Sequence, residues 1–116
     1  MDERLRQRLA LPFFDNGHRA LASELYTWCN AQSPVDHHDA DAGTREWVRR
    51  LGHAGYLAHT VPKAFGGARD VLDSRSLCVA RESLAYHDGL ADFAFAMQGL
   101  GAGPVTLAGS PELQSV

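Results

Sequence analysis

The sequence predicts an all-α fold, an orthogonal or up-down bundle of about five helices, and three observations carry that expectation. Apolar residues return at steps of three and four in separate segments, each opened by a residue able to cap a helix. Breakers stand between these segments at Ser33-Pro34, Gly52 with Gly55, and Asp88-Gly89. The one long aperiodic stretch, 55–72, carries no obvious strand. A chain of 116 residues suits one domain with one core. Area scaling gives roughly 6,000 Å² of folded surface against about 18,000 Å² unfolded, so about two-thirds can be buried without staples.

Residues 1–14 form a charged N-terminal extension with no apolar stretch of signal-peptide length behind Met1. Asp15 or Asn16 caps a first helix running to about Gln32, with Leu21, Leu25, Trp28 and Cys29 on its inner face. The polar run Val35–Gly43 reads as a surface loop. Asp41 or Thr44 opens a second helix that puts Trp47, Val48 and Leu51 inside and Arg45, Arg49 and Arg50 outside, ending near Gly52 or Gly55. Asp73 or Ser74 caps a third helix through His87, with Leu77, Ala80 and Leu84 inward and Arg81 and Glu82 at its flank. Leu90 to about Leu100 reads as a buried helix, and Gly101-Ala102-Gly103-Pro104 as a tight junction to another short one. Phe93 to Pro111 holds no charge, but its glycines and proline interrupt any membrane span, so the stretch reads as deeply buried. Ser110 and Pro111 open a last helix, and one turn before Val116 is too short to nucleate, which predicts a piece of a longer polypeptide.

Composition narrows the function. The chain is 45% hydrophobic and 22% charged, with a net charge of −3, which is globular usage rather than disorder. With a single lysine and no basic stripe, nucleic acid is not an expected partner. Cys29 and Cys78 stand alone, without metal-type spacing, and read as reduced, partly buried thiols of an intracellular, cytoplasmic protein; a disulfide between them stays open. His37-His38-Asp39-x-Asp41 offers four possible metal ligands but lacks the separated partners of a closed site, so no metal is assigned and a surface loop is the better account. Gly99-x-Gly101-x-Gly103 resembles a phosphate loop only superficially, because no strand precedes it and no lysine follows. No cysteine or serine has an elbow or a local base, so no nucleophile is assigned, and Cys78 reads as structural. Glu82 reads as half of a surface or interhelical ion pair rather than a base. What remains is the segment Phe93, Ala94, Phe95, Ala96, Met97 and Leu100, where bulky and small residues alternate. A plain core helix accounts for it, and so does the wall of a tunnel for an aliphatic ligand.

The order of landmarks resembles a known family. Trp47-x-x-x-Leu51-x-x-x-Gly55-Tyr56-Leu57, Val61-Pro62-x-x-Phe65-Gly66-Gly67, Glu82-x-Leu84-Ala85-x-x-Asp88 and Gly101-x-x-Pro104-x-x-x-x-Gly109 are similar to the N-terminal helical domain of the acyl-CoA dehydrogenases, over about residues 15–116. One departure is Lys63-Ala64, where the family commonly carries acids. The resemblance implies an FAD enzyme of three parts, of which only this helical domain is present; the middle β-domain and C-terminal helical domain are absent from the chain. A carboxylate base takes the α-proton of an acyl-CoA thioester in that family, the flavin takes the β-hydride, and an electron-transferring flavoprotein accepts the electrons. The base lies in the missing parts, so no catalytic residue falls in this chain. The family's acyl-lining helix matches Asp92, Phe93, Ala96, Met97 and Leu100 here. Dimers or tetramers, fatty-acid metabolism and the absence of a membrane span belong to the same expectation. Two alternatives stay open: a related flavoprotein, biosynthetic or monooxygenase-like, acting on another substrate, and a stand-alone helical interaction module.

Overall fold

A computed structural model describes all residues 1–116 and shows six α-helices and two 3-10 turns. Helix α1 spans Glu3–Leu9, α2 Asn16–Asn30, α3 Ala40–His53, α4 Ser74–His87, α5 Gly89–Ala108 and α6 Pro111–Gln114; the 3-10 turns are Tyr56–Thr60 and Lys63–Phe65. The all-α class holds, since the sole sheet-like pairing is one isolated bridge between Pro62 and Arg69.

Caps decide where the helices begin. Asp15 accepts the backbone N–H of His18, and the His18 ring accepts the backbone N–H of Asp15 in return, a reciprocal box that fixes the start of α2. Helix α3 starts at Asp39, whose carboxylate accepts from Ala42 N at 3.0 Å, rather than at Asp41 or Thr44. The earlier aspartate wins because its own backbone is non-helical, as a cap requires, while Asp41 already lies in the first turn. Asp88 is C-cap of α4 and N-cap of α5 at once, so the two helices meet at a single extended residue.

The core is one cluster of thirteen buried apolar residues, drawn chiefly from α2, α3, α4 and α5. Leu21, Leu25 and Cys29 face inward as the periodicity predicts, with Trp28 half-buried; so do Trp47 and Leu51, and Ala80 and Leu84. Trp47 is fully buried, its ring edge-on to Trp28 and to His87. Arg50, expected outside, is largely covered at 17% side-chain exposure: its guanidinium lies over the Trp47 ring at 5.0 Å and donates to Glu46 Oε1 at 2.8 Å and Ser33 O at 2.7 Å.

Residues 1–14, for which the sequence predicts no element, hold helix α1, anchored by buried Leu9 and by Arg19, which donates to Leu9 O at 2.6 Å and Phe14 O at 2.8 Å. Three expectations are corrected. The Gly101–Pro104 junction does not exist: α5 runs unbroken through Pro104 to Ala108. The proline lacks the N–H that would bond Leu100 O, so the helix passes through it with one backbone hydrogen bond fewer. The uncharged stretch from Phe93 is not deeply buried, for only one side of α5 faces the core. Cys78 is exposed, while Cys29 is buried and both are free thiols; α4 turns Val79 and Ala80 inward and leaves Cys78 on the outer arc. No helix is long and apolar enough to cross a membrane.

Candidate functional site: the bare flank of α5

Helix α5 is apolar nearly all round, the pattern of a helix covered on every side. Its inner face satisfies that pattern with Ala91, Ala94 and Phe95, each at most 1% exposed. The opposite face does not. Phe93 is 51% exposed, Met97 44% and Leu100 67%, and Leu107 continues the line at 84%. With Pro104 between them these residues fall at steps of four, three, four and three, a narrow seam along one side of the helix. Covering a Phe, Met or Leu side chain fully is worth about 1.5–3 kcal/mol, so the seam leaves several kcal/mol for whatever lies against it.

Of the five residues predicted to line an acyl chain, Phe93, Met97 and Leu100 share this seam, Ala96 sits half-buried beside them, and Asp92 sits at the α4–α5 seam. Asp92 is held by Arg81 through two bonds, Nε to Oδ1 at 2.8 Å and Nη2 to Oδ2 at 3.0 Å. Its charge is therefore answered by α4, and the neighbouring surface is left apolar. The break at Asp88-Gly89 made α4 and α5 neighbours in the sequence, but the register that pairs Arg81 with Asp92 is set only by packing. Glu82 forms its ion pair with Arg8 of α1, not with Arg81 or Arg75.

The landmarks of the sequence converge behind this flank. Trp47 donates its indole N–H to Asp88 Oδ2 at 3.2 Å, Asp88 Oδ1 accepts Leu90 N at 2.8 Å, and His37 Nε2 reaches the same carboxylate at 3.2 Å. One aspartate thus ties α3, the His37 loop and the start of α5. Tyr56 packs edge-on to Trp28, and its burial pushes the phenol up. The paired glycines act for different reasons. Gly66 has a φ of +89°, open to glycine, whereas a Cβ on Gly67 would stand 1.7 Å from Val61 O. Pro62 O accepts both Phe65 N and Gly67 N, closing that turn beside the far half of α5. A cleft of about 220 Å³ lies there, lined by Val61, Phe65, Val105 and Leu113 among others.

A family model described as acyl-CoA dehydrogenase, N-terminal domain, matches residues 15–115. The chain belongs to that family. No curated protein matches it. The acyl-CoA dehydrogenase N-terminal match begins at Asp15, the cap of α2, and ends one residue before Val116, so it takes in every helix except α1.

The most buried polar group escaped the sequence. His18 is 0% exposed; its Nδ1 accepts from Asp15 N and its Nε2 donates to Asp73 Oδ2 at 2.6 Å. Asp73 also accepts from Ser76 Oγ at 2.8 Å and pairs with Arg69 and Arg75. Burial alone would push this carboxyl up, but hydrogen bonds from His18, Ser76 and Arg75 outweigh it and hold it well below the usual range. No spacing marked it, since the partners are 55 residues apart. No three His, Cys, Asp or Glu side chains group as a metal site would require, and residues 36–39 of the His37 loop are all exposed.

Proposed function

We propose that this domain forms one wall of an FAD-dependent acyl-CoA dehydrogenase, an oxidoreductase that removes two hydrogens from the α and β carbons of an acyl-CoA thioester. In this proposal Phe93, Ala96, Met97 and Leu100 line the far end of the acyl-chain pocket, with Asp92 closing its polar edge through Arg81. The observation that carries it is the bare seam of α5: the domain folds around its own core and still leaves Phe93, Met97 and Leu100 about half exposed or more. Family membership supplies the chemistry for which such a wall is suited. The size alternation matters as well, because Ala96 beside Phe93 leaves space that a larger side chain would fill.

The flavin dinucleotide does not fit this chain alone. The apolar cleft by α6 is about 220 Å³, and the wider one at Lys63, about 520 Å³, is a shallow surface carrying both signs of charge. Other polypeptide would hold the FAD and supply the catalytic base, and no chemical step is assigned to residues here. The electron-transferring flavoprotein as acceptor, a homodimer or homotetramer, a role in fatty-acid metabolism and a cytoplasmic location belong to the same proposal.

The test is chain-length preference in the enzyme that carries this domain with the family's other parts. Ala96→Phe should lower kcat/KM for a long acyl-CoA relative to butyryl-CoA at least tenfold, since a filled pocket position is worth about 1–3 kcal/mol. Unchanged relative rates would remove Ala96 from the pocket.

A further inference from the structure

Helix α1 lies outside the residues that match the family, and it closes a cleft against α2 and α4. Leu5 and Arg8 of α1, Tyr26 of α2 and Tyr86 of α4 line a space of about 250 Å³, with Arg4 at its edge. Most of its polar groups already have partners. Asp2 caps α1, Arg8 pairs with Glu82, and the Ser83 hydroxyl donates to Val79 O at 2.8 Å. Arg4 gives only its backbone N–H, to Asp2, so its guanidinium is the uncommitted charge. The phenol rings of Tyr26 and Tyr86 and the Leu5 side chain supply flat and apolar walls. The volume falls below the roughly 300–1,000 Å³ of sites for drug-sized molecules, so the occupant is small. A guanidinium's planar fork matches a carboxylate with two parallel bonds, and phenol rings accept a second ring by stacking or edge contact.

We propose that this cleft binds a small aromatic carboxylate, its ring between Tyr26 and Tyr86 and its carboxylate on Arg4. The proposal is independent of the acyl-chain wall: Arg81 turns from α4 towards Asp92 of α5, while Glu82 and Tyr86 turn to α1. Amide chemical shifts of the 116-residue chain, followed during titration with phenylacetate, benzoate and indole-3-acetate, test it. Saturable shifts at Leu5, Ser83 and Tyr86 are expected for at least one acid, with Kd on the order of 0.1–1 mM. Phenylacetamide and phenethylamine should bind at least tenfold more weakly than phenylacetate. Arg4→Ala should weaken the acids at least tenfold, and Tyr86→Ala about threefold or more. Tyr86 is 73% exposed and Arg4 is exposed, so both variants keep the fold, and dispersed spectra would verify this. No saturable shift with any acid, equal binding of the amide, or an unchanged Kd in Arg4→Ala would overturn the proposal.

Discussion

Asp73 shows how much one carboxylate can hold. It caps α4, takes the proton-bearing nitrogen of buried His18 and receives Arg69 across the loop. Asp73→Ala would leave the His18 N–H buried and unpaired, at about 1–3 kcal/mol, and remove a cap worth about 1 kcal/mol more; urea denaturation should show a loss of roughly 2–4 kcal/mol. Because the folded carboxyl titrates below its unfolded value of about 3.9, its stabilisation is fully present above that pH and is lost as the pH falls towards the folded value. Stability should therefore decline below about pH 4, and the decline should flatten in Asp73→Asn. The two cysteines differ in the same physical terms. Burial pushes the Cys29 thiol up to about 11, while Cys78 is exposed. At pH 8 a disulfide reagent should modify one thiol quickly and the second only on unfolding, with Cys78→Ser abolishing the fast phase.

At the scale of the element, α5 departs most from sequence expectation. Glycine at 101 and 103 and proline at 104 are the usual marks of a junction, and local propensity alone would end the helix there. Tertiary placement overrides it: the 3-10 turn Tyr56–Thr60 packs against α5, where a Cβ on Gly99 would stand 3.8 Å from the Thr60 methyl, and α6 folds back with Gln114 donating to the carbonyls of Val105 and Thr106. The far half of the helix nevertheless holds no buried residue, since Ala91, Ala94 and Phe95 all lie in the first half, and it is the less secure part. A Cβ on Gly101 would meet nothing within 4 Å, so Gly101→Ala should raise stability by about 0.5–1 kcal/mol, visible as a higher urea midpoint. Unchanged or lower stability would mean that this half of α5 is frayed in solution. The helices of the core were easier to read, because their apolar spacing and their Asp caps agree: Asp15 and Asp73 stand where the sequence places them, and Asp39 lies two residues before the first candidate.

The whole molecule is a slab, with principal extents of 45, 40 and 18 Å. Its accessible surface of 7140 Å² exceeds by about 1,000 Å² the roughly 6,000 Å² expected of a compact chain of this mass, and only 18 of 116 residues are buried. The surplus includes the apolar line from Phe93 through Leu107 to Leu113. Exposed apolar area on this scale binds hydrophobic dyes and promotes self-association. The isolated chain should enhance the fluorescence of such a dye, and Phe93→Glu with Leu100→Glu should reduce that signal at least twofold while leaving the helical circular dichroism intact. Equal dye binding by the double variant would place the sticky surface elsewhere.

The amino-acid sequence alone determined the helical class, three of the main helices with two of their caps, and the family, because these depend on spacing and motif order along one chain. Periodicity tells which side of a helix is apolar. It cannot tell whether anything covers that side. Only the tertiary structure decided that Phe93, Met97 and Leu100 lie bare while Phe95 is sealed, that Arg81 answers Asp92, and that His18 is buried against Asp73. These are pairings between residues brought together by packing, and the energy that selects them comes from the whole core rather than from any local stretch of sequence.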